Sequence, residues 1–415
     1  MSNTLGIRSR NSSSQRLPSS FYFILLARFG LFYAVSAQAI LMGWQLYEWT
    51  NSPLALGKMG LFEAIPALFL MFVSGSLIDR GNPKRIYQAV ICVSACSIGI
   101  ALLAKEPSQL FLAGILTGTM RAFSGPSMQV LIPRILKPEQ IQAGSALSTG
   151  IAKSASVLGA MVAGTILAYG GTKPAYFVCL AFSGVSLLSL SIVPYRHPVK
   201  SRPTLKPSLI QEIKDGIGFV FSTRALLSCM MLDMFAVLFG GVNALFPVFA
   251  KDILKMGPSG VGLLSGSFAV GSVLTSLTLA RFNMVVNPGR KLLLAVIGFG
   301  VCTLGFGAST NMYLSLTLLF LAGGLDAVSM VIRGALVQLF SPDHMRGRVA
   351  AINQFFIGSS NEIGAFESGV AAHLMGVVPS VLFGGSMTLL TALVVLKIHP
   401  GLLKLQFPTN QKAKG

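Results

Sequence analysis

Charge is scarce in this sequence. Only 11% of its 415 residues are Asp, Glu, Lys or Arg, against about 25% in an ordinary soluble domain. Acidic residues are the scarcest, 13 against 32 basic ones. So few charges cannot cover the surface of a soluble protein of this length, which excludes the usual globular enzyme, a disordered chain and a coiled coil. Cysteine is scarce too: five in 415 residues make no disulfide framework and exclude a secreted scaffold. The four His (His197, His344, His373 and His399) are scattered, so neither a metal-ligand cluster nor a Ser–His–Asp grouping can be assembled. Cys92 and Cys96 share a helical face, but no His or acid accompanies them. No G-x-x-x-x-G-K-[ST] is present, so ATP is not expected to drive the protein directly. No enzymatic activity, no cofactor and no bound metal are expected.

What is abundant is apolar surface. Hydrophobic residues make up 53% of the chain and the mean hydropathy is +0.71. A helix that crosses a bilayer needs about 20 mostly apolar residues. Twelve such runs are present, at about 21–47, 56–78, 86–104, 109–131, 142–168, 174–194, 225–250, 259–281, 291–309, 312–336, 348–372 and 376–396. The first is too long for a signal-peptide core and lacks a clean small-residue cleavage site, so it is read as retained. The longest polar break, Tyr195 to Ser208, divides the runs six and six. Behind it Leu209, Ile210, Ile213, Ile217, Val220 and Phe221 recur at helical spacing among Glu212, Lys214 and Asp215. Two readings fit: an amphipathic helix on the membrane face, or the start of the seventh span. The expected organisation is a tail over 1–20, a six-helix bundle over 21–194, a linker with the amphipathic helix over 195–224, a second bundle over 225–396 and a tail over 397–415.

The net charge is +19. In a polar chain that excess suggests nucleic acid, but here its placement excludes such a partner. Of the basic residues, 23 fall in tails and loops on one side of the predicted spans and 5 on the other. The bias puts both termini in the cytoplasm. The remaining four, Arg28, Arg121, Lys153 and Arg333, fall inside spans.

The two halves are alike. Gly118-Thr-Met-Arg121-Ala in the fourth span matches Gly323-Gly-Leu-Asp326-Ala in the tenth, 205 residues on. Paired six-helix halves are an architecture of secondary transporters. The loop after the second span reads Gly75-Ser-Leu-Ile-Asp79-Arg80-Gly81-Asn-Pro-Lys84-Arg85. It resembles the G-x-L-x-D-R-x-x-x-R/K loop of the major facilitator superfamily, where the cluster latches the halves at the cytoplasmic mouth. Gly75 would let helices approach closely, Asp79 would meet a helix N-terminus or an Arg, and Lys84 and Arg85 would hold the loop in the cytosol. The corresponding loop from Arg281 to Lys291 lacks the Asp. Further stretches are similar to the drug- and siderophore-exporting branch of that family: Gly60-Leu-Phe-Glu63-Ala-Ile-Pro66, Arg121-Ala-Phe-Ser-Gly-Pro126, the seventh span from Leu232 to Pro247, and Phe356 to Gly369. The resemblance implies an all-α integral membrane protein, twelve transmembrane helices in two pseudo-symmetric halves. It also implies proton-driven export, with substrate held between the halves.

A charge at a helix centre costs about 2.5–3.5 kcal/mol even on the generous insertion scale. The charges inside spans must therefore face a wet cavity or one another. Asp233, Asp326 and Glu362 are the candidates for proton coupling. For Asp233 an ion pair with Arg333 or Lys153 is the rival role; Asp326 faces substrate or pairs with Arg121. Gln38, Glu63, Arg121, Lys153, Asn243, Arg333 and Asn361 are the candidates for lining the substrate cavity, with Gln45 a weaker one. Arg28 lies near the start of its span and is expected to reach the interface. Gly240, Gly241 and Pro247 loosen the seventh span, as a gating helix requires. Gly262 and Gly266 form a G-x-x-x-G pair suited to close packing.

The sequence thus points to a proton-coupled secondary transporter that exports a small lipophilic or amphipathic compound, a drug or a siderophore, by alternating access. The alternatives are a lysophospholipid or metal-ion transporter on the same fold, or a membrane receptor. The expected partners are a small-molecule substrate, protons and the lipid bilayer. The expected state is a monomer in the inner membrane of a bacterium.

Overall fold

A computed structural model describes residues 17–195, 209–281, 287–342 and 345–404. Among these residues the chain is helical throughout, with no strand. The first half holds α1 (Ser19–Thr50), α2 (Pro53–Arg80), α3 (Pro83–Leu103), α4 (Pro107–Leu131), α5 (Pro138–Gly170) and α6 (Thr172–Ile192). A short helix α7 (Leu209–Ser222) precedes the second half. There α8 (Arg224–Gly240) continues through a 3-10 turn, the single turn α9 (Phe246–Val248) and a π-turn to Ile253. The rest are α10 (Pro258–Arg281), α11 (Pro288–Ala308), α12 (Met312–Phe340), α13 (Arg346–Met375) and α14 (Val377–Ile398). Proline at the first helical position starts α2, α3, α4, α5 and α11, where its missing N–H is no loss.

Every predicted run is helical, the seventh as a broken helix. Ten are long and apolar enough to cross a membrane. The other two, α4 and α13, are as long but are the most polar of the set. The break in the seventh span falls where Gly240, Gly241 and Pro247 predict it. The residues behind the polar break form their own helix, α7, which ends at Ser222 before α8 begins. Gly216 lies against Arg348 and Ile352 of α13, and Val220 is buried beside them. Ile217 and Phe221 remain exposed.

The repeat holds at the starts of five of the six helix pairs. Ser19 and Arg224, Pro53 and Pro258, Pro83 and Pro288, Pro107 and Met312, and Thr172 and Val377 start corresponding helices at the same 205-residue offset. Packing follows it: α2 lies on α4 as α10 lies on α12, and α1 on α5 and α6 as α8 on α13 and α14. The close approach at Gly118, where a Cβ would stand 2.0 Å from the Glu63 carbonyl oxygen, recurs at Gly323 with 1.9 Å to that of Phe268.

The end of the bundle where α1 begins is here the terminal end, the opposite one the distal end. At the distal end one hydrophobic core, from Tyr47 and Met59 to Phe249, Phe306 and Ala372, runs through both halves. At the terminal end the core splits. One cluster around Phe21, Tyr87 and Met128 belongs to the first half. Two others, around Leu292 and around Val349, belong to the second. The halves meet along α2 with α13 and along α5 with α10. These crossings are themselves related by the repeat: Gly57 faces Gly369, and Gly262 faces Gly164. A Cβ on Gly369 would stand 2.5 Å from the Gly57 Cα, and one on Gly164 2.8 Å from the Gly262 Cα. The packing role expected of Gly262 is thus met.

Candidate functional site

Two cavities lie at mid-depth, one in each half. The first, about 350 Å³, is enclosed by α1, α2, α4 and α5. Its wall joins apolar side chains, among them Leu31, Phe32, Val35, Met42 and Met120, to polar ones: Gln38, Glu63, Thr117 and Arg121 with three serines. The second, about 100 Å³, lies among α8, α11, α12 and α13. Asp233, Asn243, Asp326, Arg333 and Asn361 line it. Of the cavity residues expected from sequence, Lys153 and the weaker candidate Gln45 border neither.

Arg121 joins the halves. Its Nη1 lies 3.2 Å from Glu63 Oε2 in its own half, and it also pairs with Glu362 on α13 of the other half. Arg121 is half-exposed, while both carboxylates are largely covered. The pairing of Arg121 with Asp326 considered from the sequence is therefore not formed. Asp326 makes no ion pair among the described residues and is half-buried. Lys153 is exposed.

Asp233 and Arg333 form an ion pair that is almost wholly buried, each residue 3% exposed. Ser329, one turn from Arg333 on α12, donates to Asp233 Oδ1 at 2.8 Å. The rival role for Asp233 is thus the geometry found. Two dehydrated charges are tolerable here because each neutralises the other and the second carboxylate oxygen is hydrogen-bonded.

Gln38 is 1% exposed. Its Nε2 donates to Ser97 Oγ at 2.7 Å and contacts Thr117 Oγ1 at 3.4 Å and Met42 Sδ at 3.1 Å. Gln45 points elsewhere: its Oε1 accepts from the buried Tyr176 hydroxyl at 2.9 Å, which makes it a packing residue rather than a cavity one. Asn361 is exposed and its Nδ2 donates to Ile357 O at 2.9 Å.

One sequence expectation is corrected, at Gly75. Arg28 Nη1 donates to Ser148 Oγ at 3.0 Å, and its guanidinium lies over the Phe32 ring at 5.3 Å. Gly75 brings no helix close, since nothing lies within 4 Å of where its Cβ would be. It sits on the terminal end, where the cores of the two halves are separate. The side chains of Asp79 and Arg80 lie outside the described residues. Lys84 closes the end of α6, its Nζ donating to Val193 O at 2.6 Å and Ser191 O at 3.0 Å.

The sequence also left one cluster unnoticed. At the distal end the Tyr47 hydroxyl donates to the Asp252 carboxylate of the other half. Beside it Lys251 Nζ donates to Asn51 Oδ1 at 2.8 Å and lies 5.3 Å from the Tyr47 ring centroid. Tyr47 and Asp252 are corresponding positions of the repeat, 205 apart. That coincidence is the signal that would have found them: residues on the pseudo-two-fold axis meet their own counterparts.

Comparison with known proteins gives a consistent result. The Major Facilitator Superfamily matches residues 24–364 and 234–413. The enterobactin exporter EntS of Escherichia coli O1:K1 is 24% identical over 395 residues, covering 94% of each chain. That of Salmonella paratyphi A is 25% identical over 401 residues, again covering 94% of each. Among solved structures, a bacterial homolog of the human lysosomal transporter Spinster, inward-facing and unoccupied, superposes with a TM-score of 0.74 at 12% identity, over 95% of this chain and all of that one. The nucleoside transporter NupG gives 0.70 at 13% identity, over 92% and 99%. With a match over most of its length and a fold shared with solved transporters, the chain belongs to the Major Facilitator Superfamily.

Proposed function

We propose that this multi-pass membrane transporter exports a small lipophilic or amphipathic compound, a siderophore or a drug, in exchange for protons and by alternating access. The observation that carries the reading is the Glu63–Arg121–Glu362 group, an ionic contact between the halves whose Glu63 and Arg121 also line the first cavity. A charge placed there contributes little to a static fold, because desolvation offsets the attraction. It is useful where the contact must form and break as the halves move. The shared distal core and the divided terminal core support a state closed at the distal end. The basic excess on the terminal side supports cytoplasmic termini and an inner-membrane location. The named relatives support a siderophore as cargo.

Asp326 and Glu362 are the proton carriers in this reading. Asp326 lines the second cavity without an ion-pair partner, and Glu362 can release Arg121 to Glu63. Asp233 is committed to Arg333 and Ser329 and serves to hold α8 on α12.

Proteoliposomes with an acidic interior test this. In an antiporter, protons leaving drive cargo inward. A catecholate siderophore or an amphipathic fluorescent dye is expected to accumulate inside, and a protonophore or Asp326→Asn to stop it. Accumulation that ignores both would remove proton coupling.

A further inference from the structure

The repeat gives Arg28 a neutralised counterpart. At the 205-residue offset it corresponds to Asp233, whose charge is met by Arg333 and whose Oδ1 accepts from Ser329. In the first half the serine is kept, as Ser124, but Met128 stands where Arg333 does. The place of the countercharge is apolar. The partners of Arg28, the Ser148 hydroxyl and the Phe32 ring, carry no charge, and among the described residues no carboxylate pairs with it. A half-buried cation without a countercharge inside a span is costly, and such groups mark the paths of substrates and ions.

The face of α1 that carries Arg28 is the face that lines the first cavity. Phe32, Val35, Ala39 and Met42 follow it at helical spacing, and all four border that cavity. Ser156 of α5 borders it too, and Ser148 lies about two turns before Ser156 on the same helix. Arg28 therefore continues the cavity wall toward the terminal end, where the cores of the halves are separate. Further along the wall Arg121 is already paired with two carboxylates and has less to offer an anion. About 350 Å³ is at the small end for ligand sites and suits one fused ring system. We propose that Arg28 binds the carboxylate of an amphipathic organic anion, whose apolar body lies in the first cavity against Phe32, Val35 and Met42. A guanidinium suits that group because it meets both carboxylate oxygens at once. The inference rests on reading the cavity as a cargo site and adds the charge class that it selects.

A matched pair of probes tests it: 2-naphthoate, and 2-naphthamide, which has the same shape and no charge. Binding to the full-length protein in phosphatidylcholine nanodiscs is measured by calorimetry at neutral pH, with empty nanodiscs subtracted for partition into lipid. Wild type is expected to bind the naphthoate roughly tenfold more tightly than the amide. Arg28→Gln, checked for a melting temperature no lower than wild type, is expected to abolish that ratio. Arg28→Lys keeps the charge and is expected to retain most of it. Equal binding of the two probes to wild type, no binding of the naphthoate, or a ratio that survives in Arg28→Gln overturns the proposal; the wild-type comparison decides even where a variant does not fold. Native mass spectrometry covers the other source of the same charge. An anionic lipid held by wild type and lost from Arg28→Gln would assign the site to a headgroup and overturn it as a cargo site. The calorimetry needs no pH gradient. Charge preference without gradient-driven accumulation would therefore remove proton coupling and keep the anion site, and accumulation without charge preference would do the reverse.

Discussion

The two halves share a backbone and differ in charge. Across the 205-residue offset, Arg28 corresponds to Asp233 and Arg121 to Asp326. Inside the spans the first half carries Arg28, Arg121 and Lys153 against Glu63. The second carries Asp233, Asp326, Glu362 and Glu367 against Arg333. One half is therefore basic at mid-depth and the other acidic. Repeat and packing explain how two bundles of one design face each other. The opposite charges give them a reason to attract across the gap, at Arg121 and Glu362. Each half then treats its remaining charges differently. The second half buries one pair, Asp233 with Arg333, while the first leaves Lys153 exposed and opens a larger cavity.

That contrast can be broken by substitution. The largest effect is expected at the buried pair. Asp233→Asn leaves the Arg333 charge without its partner and should cost about 3–5 kcal/mol of stability. A thermal melt of the purified protein would show it, and Asp233→Leu combined with Arg333→Met should restore most of the loss. Next is the crossing of the halves. Gly369→Ala drives a methyl group into the Gly57 backbone. It should cost about 1–3 kcal/mol, all of it in the distally closed state. Faster thiol labelling of a cysteine introduced at the exposed Ala39 from the distal side would report it.

A smaller effect is expected at Arg121 and Glu362. Arg121 is half-exposed, so water screens the pair, and a double-mutant cycle with Arg121→Gln and Glu362→Gln should give a coupling of about 1 kcal/mol or less. A coupling several times larger would mean that the bridge holds the fold rather than the conformational state. The smallest is at the distal cluster. Tyr47→Phe removes one hydrogen bond to Asp252 and should cost about 0.5–1.5 kcal/mol in the same melt.

Much of this was legible in the sequence, for reasons that particular residues illustrate. The spans were legible because lipid demands long apolar helices and the chain has few residues that violate that demand. The repeat was legible at Gly118 and Gly323 because a helix packed against a neighbouring carbonyl tolerates no Cβ. The two most polar spans, α4 and α13, are the helices that carry Arg121 and Glu362, as expected of helices that bring charge to the contact between the halves. The partners of the charges were less legible. Asp233 with Arg333 was one of two readings, since both lie on spans of the same half. Arg121 with Glu362 was not foreseen, because the two are 241 residues apart and lie on helices that do not correspond. Gly75 was misjudged for another reason. Its spacing belongs to a latch, and a latch is closed in only one of the conformations that a transporter adopts.

The central claim is that these halves rock about their glycine crossings, alternately closing the distal and the terminal end. The most direct measurement is the distance between spin labels at Lys105 and Thr310, exposed and corresponding positions at the distal end, by pulsed electron resonance in nanodiscs. The five native cysteines would be replaced first. A single short distance is expected in the resting protein, and a second, longer population on adding cargo and changing pH. One unchanged distance under every condition would contradict alternating access.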